Sequence, residues 1–221
     1  MNGAFVIGAG PGLGTSIALR FGSTGMPIGL IARSHSSINT VRLALDSAGI
    51  ESVSATADAA DETQVKGGLD LLVDELGVPA VLVYNAAVIR ADRPGELSHE
   101  QYQSAYAVNV LGAITSAAHL APRMAKAGGG TILITGGMPL PDPMYTSLSL
   151  GKACVRTLTR LLADEYGASG IHVAAVIVSG EIAPSGPFSP DLIAEQYWRL
   201  HSQTPDAWEH EVVFPGESAS G

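Results

Sequence analysis

Cysteine and basic residues are both scarce in this sequence of 221 residues. Cys154 is the only cysteine, which excludes a disulfide framework and a cysteine-based zinc site and favours a reducing compartment. Twelve Lys and Arg residues stand against 21 Asp and Glu residues, which leaves a formal net charge of -9. Nucleic acids and acidic membrane surfaces are bound by basic faces, so neither is expected as a partner.

Long apolar segments are missing as well. The first seven residues have neither the charged region nor the apolar stretch of a secretory signal. The longest uncharged segment, residues 101–122, is interrupted by Asn109, Ser116 and His119, which predicts a buried helix and not a membrane span. The six histidines show no paired spacing on one helix, so no metal site is expected. Together these absences predict a cytoplasmic protein.

The sequence instead alternates short apolar runs with longer segments of helical period. The runs comprise residues 4–7, 28–32, 53–55, 80–84, 132–135 and 173–177, and a seventh candidate, 211–214, is short. Runs that are apolar on both faces and separated by helices indicate a parallel sheet covered on both sides. We predict one α/β domain with a doubly wound parallel sheet of six or seven strands over residues 1–201. A short C-terminal tail, residues 202–221, follows it.

A glycine-rich turn follows the first apolar run, and a helix is predicted directly after it over residues 15–21. Glycines lack the Cβ atoms that would block a pyrophosphate, and the free N–H groups at a helix start donate to phosphates. A turn that binds nothing is the alternative, but the strand before it and the helix after it favour dinucleotide binding. The predicted cofactor-binding residues of this turn are Gly8, Gly10, Pro11, Gly12, Leu13 and Gly14.

The residues after the second and third runs bear on the choice between NAD(H) and NADP(H). An acidic side chain after the second strand pairs with a ribose hydroxyl, whereas a basic one pairs with a 2'-phosphate. Here the sequence is Ala32-Arg33-Ser34, so Arg33 and Ser34 predict NADP(H), unless Arg33 is only a solvated surface charge. Asp58 follows the third run, where it either accepts a hydrogen bond from the adenine or begins a turn.

Taken in order, these residues resemble the short-chain dehydrogenase/reductase family, whose fold is of the Rossmann type. The resemblance covers about residues 3–184 and continues through Asn85-Ala86-Ala87, Asn109 and Lys152. It implies that Asn85, Ala86, Lys152, Ser179, Gly180 and Ile182 contact the cofactor. In this family Asn109 would order a water chain that leads to the lysine; a structural cap at a helix kink is the alternative.

The active site departs from the family pattern. Most members place a tyrosine four residues before the lysine and a serine at the preceding strand end, but Leu148 and Gly137 stand at these positions. Thr135 and Ser179 are the remaining hydroxyls that could face the nicotinamide, but strand-end hydroxyls more often bond to backbone. The most common catalytic arrangement of the family is therefore absent.

Tyr145 offers a replacement for the missing tyrosine. Seven residues nearly complete two helical turns, so Tyr145 and Lys152 share a face if the helix extends back that far. The spacing resembles the enoyl-acyl-carrier-protein reductase branch, which implies that Tyr145 stabilises an enolate while Lys152 holds the cofactor ribose. The alternative is that the proline-rich segment 139–143 leaves Tyr145 in a loop with its ring packed.

The predicted function is hydride transfer between NADP(H) and a carbonyl or an activated alkene, with Tyr145, Lys152 and Asn109 as catalytic residues. The alternative is an NADP(H)-binding sensor or interaction subunit that has lost catalysis. The expected partner is a small-molecule substrate. Residues 182–200, with Ile193, Tyr197, Trp198 and Leu200, either form an apolar cover over it or pack on the protein body or against a second subunit. Family resemblance further implies a homodimer or homotetramer that assembles through helices 98–127 and 144–167.

Overall fold

Seven parallel strands form the centre of the molecule in the computed structural model, which describes residues 2–217. The strands are β1 (Ala4–Ile7), β2 (Ile28–Ala32), β3 (Ser52–Thr56), β4 (Val81–Tyr84), β5 (Gly130–Gly137), β6 (Ile171–Val178) and β7 (Glu211–Phe214). Their order across the sheet is β3-β2-β1-β4-β5-β6-β7, and every neighbouring pair is parallel. The chain therefore reverses its direction of winding between β1 and β4, where open α/β sheets bind ligands.

Seven α-helices connect the strands. They are α1 (Leu13–Gly22), α2 (His35–Ser47), α3 (Glu62–Leu76), α4 (His99–Tyr106), α5 (Gly112–Lys126), α6 (Thr146–Tyr166) and α7 (Pro190–His201). A π-helical turn, Ala107–Leu111, joins α4 to α5, so the predicted helix over residues 98–127 is continuous but locally widened. None of the described helices is long and apolar enough to cross a membrane.

The hydrophobic core has two parts, one on each face of the sheet. On one face α1, α2 and α7 pack against the strands, as with Ile17, Val41 and Ile193, which are fully or almost fully buried. On the other face α3, α5 and α6 pack, as with Leu69 and Leu120. The predicted doubly wound parallel α/β fold is confirmed, because helices cover both faces of a sheet whose strands β1, β4 and β6 are buried along their whole length.

Side-chain caps begin α3 and α4. The Asp61 carboxylate accepts a hydrogen bond from the Gln64 backbone N–H at 3.0 Å at the start of α3. Ser98 and Gln101 form a complete capping box at the start of α4. Ser189 precedes α7 and is followed by Pro190, but its side chain makes no capping bond.

The C-terminal part of the chain completes the sheet. Glu211–Phe214 pairs in parallel with β6, so a strand of the sheet lies within the segment that the sequence treats as a tail. Glu211 also forms a two-pronged ion pair with Arg156 of α6, at 2.6 and 2.7 Å. The last four residues of the predicted tail, 218–221, lie outside the described residues.

Candidate active site

The glycine turn after β1 is tightly packed at its two ends. Gly8 has a φ of +85°, and a Cβ atom there would lie 2.4 Å from the backbone nitrogen of Ala86. A Cβ atom on Gly14 would lie 2.7 Å from the carbonyl oxygen of Gly8. These two glycines therefore allow β1, α1 and the segment after β4 to approach one another closely.

The middle of the same turn faces open space. Cβ atoms built on Gly10 and Gly12 would have no neighbouring atom within 4 Å. Gly12 precedes α1 and provides no side-chain cap, so the first N–H groups of the helix remain available to an anion. Pro11 is exposed beside them, whereas Leu13 is 6% exposed and packs in the core. The turn thus fits a dinucleotide pyrophosphate.

A cavity of about 490 Å³ lies at the carboxyl ends of β1 to β4. Six of the predicted cofactor residues line it, from the turn and from three further strand ends: Gly8, Gly10, Arg33, Asp58, Asn85 and Ala86. The lining also includes Ser37, Val88 and Ile89, which the sequence did not single out. Only the strand order reveals them, because they become neighbours through the sheet.

Two charged side chains of opposite sign line the cavity. Arg33 is exposed beside the start of α2. Ser34 is the N-cap residue of α2, and its hydroxyl accepts a hydrogen bond from the Ser37 N–H at 3.2 Å. Asp58 uses one carboxylate oxygen to accept from the Ala60 N–H at 3.0 Å. Asp58 therefore begins a turn and also lines the cavity, while its hydrogen bond to the adenine stays a prediction.

Buried hydrogen bonds connect the cavity to β5 and α7. The Asn85 amide donates to the Gly8 carbonyl at 3.0 Å, and its oxygen accepts from the Thr135 hydroxyl at 2.8 Å. The Thr135 hydroxyl also lies 2.6 Å from the hydroxyl of Tyr197, which is completely buried. Backbone bonding of this strand-end hydroxyl was the wrong expectation, because Thr135 contacts two side chains.

Lys152 is buried inside the protein. Its side chain is 7% exposed, and Nζ donates a hydrogen bond to the backbone carbonyl of Thr135 at 2.7 Å. Burial without a carboxylate partner lowers the pKa of Lys152 to about 8. A Cβ atom on Gly137 would lie 3.8 Å from Lys152 Cε, so the strand end leaves room beside the amine.

Tyr145 lies just outside α6. The helix begins at Thr146, and Tyr145 is its N-cap residue with a φ of -137°. The helical-face argument from the sequence therefore does not apply, because Tyr145 does not have helical backbone angles. Its side chain is 36% exposed, whereas Leu148, at the usual tyrosine position, is 6% exposed.

Asn109 lies in the π-helical turn and binds the segment after β4. Its side-chain oxygen accepts from the Val88 N–H at 2.7 Å, and its side-chain nitrogen donates to the Val88 carbonyl at 3.3 Å. Both polar atoms of the amide thus hold a residue that lines the cavity. These bonds go to the segment after β4 and not to helix backbone, so they are not the expected cap at a helix kink, and the water chain to Lys152 stays a prediction.

The segment after β6 lies beyond the lining of this cavity. Ser179 donates its N–H to the Phe214 carbonyl at 3.1 Å. Gly180 packs against the Phe188 ring, where a Cβ atom would come within 2.3 Å, and Ile182 is 37% exposed. The predicted contact of these residues with a cofactor therefore stays a prediction.

The helix proposed as an apolar cover instead packs on the body of the protein. Ile193, Tyr197 and Leu200 of α7 are 0% exposed, so they cannot cover a substrate. Trp198 packs edge-on against Phe21 of α1. Ile193, Tyr197 and Leu200 are spaced by four and three residues, as expected for the buried face of an amphipathic helix.

Comparisons with known proteins agree with this geometry. Residues 2–183 match a family model described as short chain dehydrogenase. A glucose 1-dehydrogenase from Gluconobacter oxydans is 30% identical over 217 residues, which is 96% of this chain and 79% of that protein. A 7alpha-hydroxysteroid dehydrogenase from Escherichia coli is 27% identical over 175 residues, which is 78% and 68% of the two chains.

Solved structures share the fold over nearly the whole chain. A short-chain type dehydrogenase/reductase from Mycobacterium marinum has a TM-score of 0.88 and 25% identity, and the match covers 96% of this chain and 93% of that one. A metagenomic short-chain oxidoreductase in complex with NADP has a TM-score of 0.86 and 24% identity, with 96% of both chains covered. With the glycine turn, the parallel sheet and the family match in agreement, this chain belongs to the short-chain dehydrogenase family of oxidoreductases.

Proposed function

We propose that this protein is an NADP(H)-dependent oxidoreductase that transfers hydride to or from a carbonyl or an activated alkene. The observation that carries the proposal is the cavity at the carboxyl ends of β1 to β4, beside the start of α1. Its open space at Gly10 and Gly12 suits a pyrophosphate, and the carboxyl edge of the sheet is where ligands of this fold bind.

The preference for NADP(H) is supported by Arg33. Its guanidinium lies at the cavity next to the start of α2, where the helix N-terminus and a cation both favour a phosphate. Ser37 adds a hydroxyl from the first turn of α2. The structural neighbour that was solved with NADP has the same fold, which is consistent with this assignment.

The catalytic roles are assigned to Tyr145 and Lys152, with Asn109 in support. The bound nicotinamide supplies or accepts the hydride. Reduction leaves negative charge on the substrate oxygen, which needs a hydrogen-bond donor and a proton. Tyr145 has an exposed phenol to donate that proton, and the buried Lys152 ammonium supplies positive charge at the end of β5. Asn109 acts by holding Val88 in the cavity wall.

Cofactor binding is tested by separate titrations with NADPH and NADH. We expect NADPH to bind at least about tenfold more tightly, which corresponds to about 1.4 kcal/mol. Arg33→Ala should remove that preference, whereas Arg160→Ala, an exposed arginine on α6, is the matched control and should keep it. Equal affinities for the two cofactors would refute the role of Arg33, and failure of both to bind would refute the proposed function.

Catalysis is tested with Tyr145→Phe on a panel of ketones, aldehydes and enoyl thioesters. We expect turnover to fall by about 100-fold or more while the affinity for NADPH stays the same. Tyr106→Phe is the control, because Tyr106 is exposed on α4 and lies outside the proposed site. Unchanged turnover in the variant removes Tyr145 from the mechanism. NADPH binding without turnover of any substrate would indicate the non-catalytic alternative.

Assembly as a homodimer or homotetramer is supported by exposed apolar side chains on α5 and α6. Ile114 on α5 is 38% exposed, and Leu150 and Leu161 on α6 are 57% and 61% exposed. Side chains of this size favour burial against a second copy. Light scattering should therefore give at least twice the mass of the chain, and a monomer would contradict the assignment. We assign the protein to the cytoplasm, where its single Cys154 remains reduced.

A further inference from the structure

Asp92 has a buried carboxylate that contacts the start of α6. Along the sequence Asp92 lies between β4 and α4, and it is 2% exposed. One carboxylate oxygen accepts from the Ser147 hydroxyl at 2.7 Å, and the other accepts from the Ser147 backbone N–H at 3.0 Å. None of the ion pairs within residues 2–217 includes Asp92. Its charge is therefore compensated by the N-terminus of the helix and by the hydroxyl.

The backbone of Asp92 holds the chain on both sides of Tyr145. The Asp92 N–H donates to the Met144 carbonyl at 2.9 Å, and the Thr146 N–H donates to the Asp92 carbonyl at 3.0 Å. The two bonds form an isolated parallel bridge between Asp92 and Tyr145. Including the side-chain bonds to Ser147, Asp92 fixes the residue before Tyr145 and the two residues after it.

Asp92 does for α6 what an N-cap side chain does for most helices. An N-cap Ser, Thr, Asp or Asn normally accepts a hydrogen bond from one of the first backbone N–H groups. Tyr145 occupies the N-cap position of α6 and makes no such bond. The Asp92 carboxylate supplies that bond from another part of the chain. The N-cap residue of α6 therefore does not need a capping side chain, and a tyrosine can occupy position 145.

The same segment forms part of the cofactor cavity. Asn85 binds the Gly8 carbonyl, and Val88, which lines the cavity, is held by Asn109. Asp92 follows Val88 by four residues and binds the start of α6. A single short segment thus connects the cavity wall to Tyr145.

We propose that Asp92 is a positioning residue: it caps α6 in place of Tyr145 and thereby fixes the phenol relative to the cavity and Lys152. The inference rests on the proposed function, because it gives Asp92 an effect on hydride transfer through Tyr145. It extends that function by assigning a specific task to a carboxylate that contacts neither the cavity nor Lys152 in the described part of the chain.

Hydrogen exchange tests the capping part without any substrate. In Asp92→Ala we expect the amide of Ser147 to exchange at least about tenfold faster, because the carboxylate that accepts from this N–H is lost. Asp61→Ala is the matched control: it removes the cap of α3 and should leave the Ser147 amide unchanged. Unchanged exchange at Ser147 in Asp92→Ala would overturn the proposal, whatever the catalytic activity.

A double-mutant cycle tests whether Asp92 acts through Tyr145. Asp92→Ala should lower kcat by about tenfold in the parent protein and leave kcat unchanged in a Tyr145→Phe background. The affinity for NADPH should stay within about threefold of the parent value, since the glycine turn and Arg33 are intact. An equal loss of kcat in both backgrounds would overturn the proposal. If the parent binds NADPH but turns over no substrate, the proposed function fails, and the effect of Asp92 on hydride transfer fails with it.

Discussion

Replacement of Lys152 by methionine should stabilise the protein at neutral pH. The pKa of Lys152 falls from the ordinary 10.5 to about 8 because burial disfavours the ammonium. At about 1.4 kcal/mol per pH unit, this difference corresponds to a cost of about 3 kcal/mol at pH 7. Methionine leaves the Thr135 carbonyl without its donor, which costs about 1 to 2 kcal/mol. The expected net gain in the free energy of unfolding is therefore about 1 to 2 kcal/mol at pH 7.

The gain should disappear as the pH rises. Below pH 8 the amine is charged in both the folded and the unfolded protein, so the parent bears the full cost. Between pH 8 and 10.5 the folded protein releases the proton while the unfolded chain keeps it, so the stability of the parent increases with pH. At pH 9.5 the advantage of Lys152→Met should be smaller by about 2 kcal/mol than at pH 7.

Urea denaturation of both proteins at pH 7 and pH 9.5 measures the effect. The contributions of other titrating groups cancel when the free energy of unfolding of the parent is subtracted from that of the variant at each pH. Lys126→Met is the control, because Lys126 is exposed near the end of α5 and its substitution should give the same difference at both pH values. If the difference in free energy of unfolding between Lys152→Met and the parent does not change with pH, the conclusion that burial lowers the pKa of Lys152 is refuted. The same variant should lose turnover, which would make Lys152 a residue retained for function at the expense of stability.

Gly8→Ala should lower the free energy of unfolding by about 2 kcal/mol or more in urea denaturation, because its φ is +85° and its Cβ meets Ala86. Gly10→Ala should keep the stability of the parent but weaken NADPH binding at least about tenfold, and equal behaviour of the two variants would contradict the geometry. Burial lowers the pKa of His172, so the stability that it contributes is complete above pH 6.5 and is lost as the pH falls below it. Between pH 7.5 and 5.5 the parent should lose more stability than His172→Leu. Equal losses in the two proteins would contradict the effect of His172 on the pH dependence of stability. Leu148→Tyr with Gly137→Ser should raise kcat/KM at least about tenfold at unchanged NADPH affinity, and no gain would show that these positions no longer face the reacting atoms.

Short-range patterns in the sequence were sufficient to predict the fold and the glycine turn. Strands β1 and β4 are buried on both faces, so each one is a continuous apolar run, Ala4–Ile7 and Val81–Tyr84. The glycines at positions 8 and 14 were predictable because a close backbone approach leaves no room for a Cβ atom. The helix starts at Asp61 and Ser98 follow from bonds that span only three residues.

The proposed catalytic part of the site depends on contacts that no local pattern encodes. The bond between Asp92 and Ser147 joins residues 55 apart, and the bond between Thr135 and Tyr197 joins residues 62 apart. The sequence alone did not show that Lys152 is buried, and it left open whether Tyr145 lies in a helix or before it. By itself the sequence determined the sheet, its glycine turn and the family, since these follow from residue size and polarity over a few neighbours. Only the tertiary structure decided the burial of Lys152, the position of Tyr145 and its attachment to Asp92, because each follows from the strand order that brings distant segments together.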